Sequence, residues 1–145
     1  MIRAAVLEDV PRLVELGRAL LQTAYGGVFS DAPDILAGLM TGLVTGDQST
    51  VLVLDGDAGV MGAIGLIAQP HFASGDLMAA EIFWYVDPLK RGAGVRLLRE
   101  AERWARAHGA LALQMVAPNA RVATLYERLG YALMERSYLR RFDAA

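Results

Sequence analysis

Between Val86 and Arg96 the chain reads Val-Asp-Pro-Leu-Lys-Arg-Gly-Ala-Gly-Val-Arg. An apolar strand candidate runs into it, and a strongly amphipathic helix candidate leaves it. A glycine-rich strand-to-helix turn exposes backbone N–H groups at a helix N-terminus. Those donors and the helix dipole suit a phosphate or pyrophosphate, and Arg91 adds a charge-assisted donor. A Walker loop requires Gly-Lys-Ser/Thr, which is absent. A dinucleotide fingerprint requires a third glycine, and Leu97 stands there. A pyrophosphate of another type remains open, as does a plain turn that uses glycine for tightness alone. The second chemical signal is Glu81, a carboxylate in the apolar run Ala80 to Val86. Such a residue is either a strand-end glutamate in solvent or a group held there for a purpose. Period-two alternation puts Glu81, Phe83 and Tyr85 on one face unless a bulge intervenes.

The remaining titratable inventory narrows the chemistry. The chain has no cysteine and only two histidines, His71 and His108. That excludes disulfides, a cysteine nucleophile and cysteine-ligated metals, and no metal site is expected. His108 lies on the apolar face of a helix end and reads as structural. His71 lies in a loop before the Glu81 strand. The balance of 14 Lys+Arg against 16 Asp+Glu has no basic run, so no nucleic-acid partner is expected. No segment supplies about 20 continuous apolar residues, and Glu8 and Asp9 follow too soon for a signal sequence. A cytoplasmic protein without a membrane partner is the expectation. At 54% hydrophobic and 21% charged residues, a 145-residue chain can bury a real core as one domain, 1–145.

The elements that position these residues follow from pattern. Ile2 to Val6 is a short strand candidate. Asp9 stands as an N-cap with Pro11 in the first turn, and Val10 to Ala24 follows helical spacing up to Gly26-Gly27. Asp31-Ala32-Pro33 opens a second helix carrying Ile35, Leu36, Leu39, Met40 and Leu43. Thr50–Leu54 and Val60–Ala68 form a hairpin about Asp55-Gly56-Asp57. Gln69 to Met78 is a loop, and Ala80–Val86 a strand stopped by Asp87-Pro88. Val95–His108 has the clearest helical pattern, ended by Gly109. Leu111–Ala117 is a strand, Asn119 caps a helix that runs to Leu129, and Tyr131–Glu135 and Ser137–Phe142 are final strands. The order specifies a mixed α/β (α+β) domain: one mostly antiparallel sheet of six or seven strands with about four helices on its two faces.

The pattern Val-x-Pro-x-x-Arg-Gly-x-Gly-Val, followed by Asn119-Ala120-Arg121 and by Leu125-Tyr126-Glu127-Arg128-Leu129-Gly130-Tyr131, resembles the GNAT family of acetyl-CoA-dependent N-acetyltransferases. The run Ala80 to Pro88, with Glu102 to Arg106 and Gly109-Ala110, is similar to a branch of that family found in phages and prophage-like regions. The resemblance implies a sheet splayed in its middle. It implies that Arg91, Gly92, Ala93, Gly94, Val95 and Arg96 cradle the pyrophosphate of coenzyme A, with Asn119 touching the cofactor. Tyr85 and Val86 would pair with the pantetheine arm, and an N–H near Val86 would polarise the thioester carbonyl. Arg96 stands where the family prefers Gly or Ala, and Leu89-Lys90 where it has an acidic and aromatic pair.

The acceptor implied is a primary amine on a small molecule or peptide. An amine of pKa about 10.4 costs about 4.6 kcal/mol to deprotonate at pH 7, whereas a thiolate of pKa near 8.5 favours its protonated form by about 2 kcal/mol there, so the acid is the lesser demand. Glu81 is the candidate base and Tyr126 matches the tyrosine that protonates the departing thiolate. Tyr25, Phe29 and His71 fall where the family builds its acceptor pocket. The final aromatic strands make a homodimer plausible by analogy. The alternatives are a degenerate domain that binds acyl-CoA or a protein partner without catalysis, and a phage-type assembly protein.

Overall fold

The computed structural model describes residues 1–90 and 92–142. Its elements are β1 (Ile2–Ala4), α1 (Val10–Tyr25), α2 (Pro33–Thr45), β2 (Ser49–Gly56), β3 (Gly59–Pro70), β4 (Leu77–Val86), α3 (Gly94–Ala107), β5 (Leu113–Gln114) and α4 (Ala120–Arg128). Short 3-10 turns occupy Leu7–Asp9 and Pro88–Lys90. The strands form one sheet in chain order, antiparallel except for the parallel β4–β5 pair. Among the described residues no helix is long and apolar enough to cross a membrane.

Both faces of the sheet are covered, which is why β2 and β3 read as nearly continuous apolar runs. Alternation sends Val51 and Val53 to one face, where Leu13, Leu16, Met40 and Leu43 of α1 and α2 pack with Ala63 and Phe83. Leu52 and Leu54 go to the other, where Leu97 and Ala101 of α3 pack with Ile64 and Leu66. Each of the larger side chains among these contributes roughly 1.5–3 kcal/mol on burial. α1 stops at Gly26 and Gly27, whose φ values of 51° and 79° are left-handed.

Asp9 does not cap α1 with its side chain. Pro11 leaves one of the amides a cap would satisfy without a hydrogen. The Asp9 carboxylate instead accepts from the Val6 amide at 2.8 Å and from both terminal nitrogens of Arg3 at 2.8 and 3.0 Å. Arg3 Nε reaches Asp55 at 2.9 Å, so one guanidinium ties β1, β2 and the entry to α1 together.

Three sequence expectations are corrected. β4 carries a bulge: Gly65 pairs with Phe83 and Leu66 with Glu81, so Ile82 is an extra residue. Directly paired residues share a face. Glu81 therefore joins Leu66, Trp84 and Val86 on the α3 face, while Phe83 and Tyr85 pack on the α1/α2 face. The Phe83 ring lies over Gly65, where any Cβ would collide with it. Second, the strand expected over Leu111–Ala117 shrinks to Leu113–Gln114, paired only with Ala79–Ala80. Third, Tyr131–Glu135 and Ser137–Phe142 are not strands, so five strands stand among the described residues. Residues 132–142 make no hydrogen bond among the described residues, and Met134, Tyr138 and Phe142 are almost fully exposed. Apolar and aromatic content alone does not specify a strand, and the edge strand nearest in sequence, β5, offers only two residues to pair with.

The Arg3 ion pair holds the Asp9 carboxyl below its ordinary range, assisted by the Val6 amide. A depressed carboxyl stabilises the fold above its unfolded pKa, about 3.9, and that stability is lost as pH falls through the lower folded value. Asp9→Asn is expected to cost about 1 kcal/mol at pH 7, read as a lower urea midpoint. The difference from wild type should shrink steadily below pH 4; equal midpoints at pH 7 would show that the bridge adds nothing.

Candidate active site

The site begins where β4 and β5 part. The Asp87 amide donates to Met61 O at 2.7 Å, which turns Asp87, Tyr85 and Phe83 toward β3. Antiparallel alternation then points the backbone groups of Trp84 and Val86 the other way. On that side β5 has already ended at Gln114. The result is a wedge lined by backbone N–H and C=O groups without a strand partner among the described residues. Tyr85, expected beside Val86 on the open edge, instead turns its main chain into the β3 ladder; Trp84 takes that place.

The main chain of one residue bridges the wedge. Glu81 Oε1 accepts from the Val116 amide at 2.9 Å, and the Tyr126 hydroxyl donates to the Val116 carbonyl at 3.1 Å. The two candidate catalytic side chains, 45 positions apart in sequence, thus meet on the main chain of one residue, Glu81 at its N–H and Tyr126 at its C=O. Burial pushes the Glu81 carboxyl up to about 7, although the Val116 N–H pulls the other way. Burial first, and then the Glu81 charge and Tyr131, raise Tyr126 far above a free phenol. Tyr126 therefore keeps its proton at neutral pH, while Glu81 titrates there.

Local sequence places Tyr126. Asn119 Oδ1 accepts from the Val122 amide at 3.0 Å and caps α4. Two turns later Tyr126 is buried at 6% exposure, stacked on Trp84 with ring centroids 5.9 Å apart and tilted against Tyr131 at 5.5 Å. The Tyr131 hydroxyl donates to Glu102 Oε1 on α3 at 2.8 Å. Trp84 Nε1 is buried with no partner among the described residues.

The glycine turn closes the same end of β4. Asp87 Oδ1 accepts from the Leu89 amide at 2.9 Å. Gly92 has φ 95°, which L side chains rarely adopt. A Cβ on Gly94 would stand 3.0 Å from the Trp84 ring and 3.5 Å from Val86; its absence lets α3 start directly against the wedge. The Ala93 and Arg96 amides bond the Lys90 and Ala93 carbonyls at 3.2 and 3.1 Å. Val95 opens the first turn of α3. Arg91 lies outside the described residues.

Other sequence candidates lie apart. The Arg96 side chain lines a groove with Met1 and Ile2 near β1, at the far edge of the sheet. Tyr25 and Phe29 pack edge to face at 5.6 Å between α1 and α2, both about half exposed. His71 stays within its own loop: Nδ1 accepts from the Ala73 amide at 3.2 Å, and the ring lies against Phe72 at 4.8 Å. His108 bonds the Trp104 carbonyl at 3.0 Å and packs on that indole. Sequence reasoning missed Val116, whose contribution is its main-chain N–H and C=O and leaves no side-chain signal. It also missed Trp84 and Tyr131 as partners of Tyr126; the spacing Tyr126-x4-Tyr131 was the available hint.

The model of the Acetyltransferase (GNAT) family matches residues 15–131. No curated protein matches the chain. Among solved structures, the tetramutant of a Bacillus halodurans protein superposes with a TM-score of 0.81 at 19% identity, covering 98% of this chain and 99% of the other. An aminoglycoside antibiotic 6'-N-acetyltransferase from Acinetobacter haemolyticus gives 0.75 at 19% identity, with 100% and 99% covered. A ribosomal-protein-alanine N-acetyltransferase from Brucella melitensis biovar Abortus gives 0.74 at 21% identity, with 99% of each chain covered. The family model spans most of the chain and the fold is shared from end to end: the chain belongs to the GNAT acetyltransferase family.

Proposed function

We propose that the chain transfers an acetyl group from acetyl-CoA to a primary amine by direct attack. The observation that carries this reading is the convergence of Glu81 and Tyr126 on the Val116 main chain, at the mouth of a wedge whose Trp84 and Val86 backbone groups have no strand partner among the described residues. The chain's own features suit the cofactor: the unpaired wall is extended like a pantetheine arm, Gly92 and Gly94 keep Cβ atoms out of its path, and a buried indole N–H beside them has no acceptor. Bound there, acetyl-CoA supplies an acyl group already activated as a thioester.

The residues then divide the work. The amides of Gly92, Gly94 and Val95 at the positive end of α3 face the pyrophosphate, with the free amide of Asn119 alongside; by residue type Arg91 is the charge-assisted donor of this stretch of sequence. The Val86 N–H orients and polarises the acyl carbonyl. Glu81, with a proton affinity matched to neutral pH, removes the amine proton directly or through a water. Its Oε2 has no partner among the described hydrogen bonds and is the oxygen available for that task. Tyr126 stays protonated and can rotate its O–H from the Val116 carbonyl toward the departing thiolate. Tyr25, Phe29 and His71 border the acceptor side. Of the superposed relatives, one is named for an aminoglycoside and one for a ribosomal-protein alanine. Both names support an amine acceptor and leave its size open.

Glu81→Gln is expected to lower kcat by about 10²–10⁴ with coenzyme A affinity nearly unchanged by calorimetry. The wild-type rate should rise with pH through about 7, because a base must be deprotonated, and the variant should lose that limb. Unchanged turnover would remove Glu81 from the role. The same group makes a stability prediction of the opposite sign to Asp9. Its folded pKa is raised, so its contribution is full below about pH 4.3 and is lost as pH rises toward 7. Glu81→Gln should therefore flatten the fall in urea midpoint between pH 4.5 and 7. Tyr126→Phe should lower kcat at least about tenfold and, by freeing the Val116 carbonyl, cost about 1 kcal/mol of stability; full activity in this variant would assign the proton to another donor.

A further inference from the structure

The opposite edge of the sheet holds a second feature that the transferase reading does not use. A groove of about 330 Å³ runs between α3 and β1, lined by Met1, Ile2, Arg96, Arg99, Glu100 and Arg103. Three guanidinium groups face one carboxylate there. Glu100 pairs with Arg103, whereas Arg96 and Arg99 make no ion pair among the described residues. A local excess of positive charge on a chain of net charge −2 attracts an anionic partner.

The backbone beside this row supplies shape. β1 is an edge strand. Asp55 N bonds Met1 O, and Ala5 N bonds Val51 O, both at 2.7 Å. By alternation Ile2 and Ala4 turn their N–H and C=O groups outward. Of these four groups only the Ala4 carbonyl has a described partner, the Arg3 guanidinium at 3.2 Å. Ile2 packs toward the α3 face. A strand added to β1 would therefore project every second side chain beneath the arginine row. Arg96 to Arg103 spans roughly 10.5 Å along the helix, and alternate residues of an extended chain recur every ~6.8 Å. Two or three acidic residues at alternate positions match that span.

We infer that this edge docks an extended acidic peptide segment of a partner protein, added as a strand to β1 with its alternate carboxylates on Arg96, Arg99 and Arg103. Outward-facing ladder groups favour a peptide over a nucleic acid. The groove also offers no aromatic ring for base stacking. The site lies across the sheet from the β4–β5 wedge and does not depend on the acetyl-transfer reading.

The test is fluorescence anisotropy of the full chain with a labelled peptide alternating Glu and Val. Micromolar binding that weakens with added salt is expected. The combined Arg96→Glu and Arg99→Glu variant should weaken it about tenfold or more. Ala4→Pro, which removes an outward N–H at an exposed position and leaves the β1–β2 ladder intact, should weaken it while the arginines remain. So should N-methylation of alternate peptide amides. Far-UV spectra and urea midpoints confirm that each variant is folded. Several outcomes overturn the inference: no binding at millimolar peptide, equal binding by the N-methylated peptide or by the arginine variant, or an oligonucleotide of equal charge binding more tightly through the same arginines.

Discussion

Ile82 is one residue more than the β3–β4 ladder can pair, and the site depends on that surplus. Without the bulge, Glu81 would share a face with Phe83 and Tyr85 and point under α1 and α2. With it, the carboxylate crosses to the face of α3 and α4 and reaches the Val116 amide. The bulge also falls just past the last β4–β5 pair, at Ala80 and Gln114. A bulge bends its strand and increases twist, so the same feature that aims Glu81 adjoins the point where the two strands separate. Gly65 makes room for it, because the Phe83 ring occupies the space a Cβ would need.

Everything around the wedge is held by contacts of a different kind. Trp84 is the hinge of that packing: Gly94 abuts one part of its ring and Tyr126 stacks on the indole. Helix α3 is anchored by Leu97, Leu98 and Ala101, all fully buried, and α4 by its Asn119 cap and Tyr126. The apolar core on both faces of β2 and β3 supplies the stability. Against it the fold maintains costs at the site: a carboxylate held where burial favours its neutral form, and an indole N–H with no acceptor. Such local departures from polar satisfaction concentrate at functional positions.

The sequence carried the architecture well where pattern and chemistry agreed. The α3 helix with its Gly109 stop, the β2–β3 hairpin and the Asn119 cap all follow from local rules that the tertiary structure did not override, although the hairpin turns at Asp57-Ala58, one residue later than Asp55-Gly56-Asp57. The glycine turn, Glu81 and Tyr126 were visible as residue types. Their convergence was not, because it passes through the main chain of Val116 and through a bulge that no periodicity announces. Asp9 showed the competition openly: a good N-cap residue was diverted by Arg3, with Pro11 removing part of the reason to cap. The C-terminal stretch misled for the converse reason. Tyr131 to Phe142 is rich in the aromatic and apolar residues that strands favour, yet a strand also needs a ladder, and the nearest edge strand, β5, has only two residues. Arg96 follows the glycines in sequence, and because a helix carries adjacent residues about 100° apart its side chain turns toward Met1 and Ile2.

The most direct measurement is an amide and indole NMR titration of the isotopically labelled chain with coenzyme A. The largest shifts should fall on Trp84, including its Nε1–H, and on Val86, Gly92, Gly94, Val95 and Val116, with β1 and the α1–α2 connection unmoved. Saturable binding that left Trp84 and Val86 unshifted, or no binding at millimolar coenzyme A, would contradict the placement of the cofactor in the β4–β5 wedge.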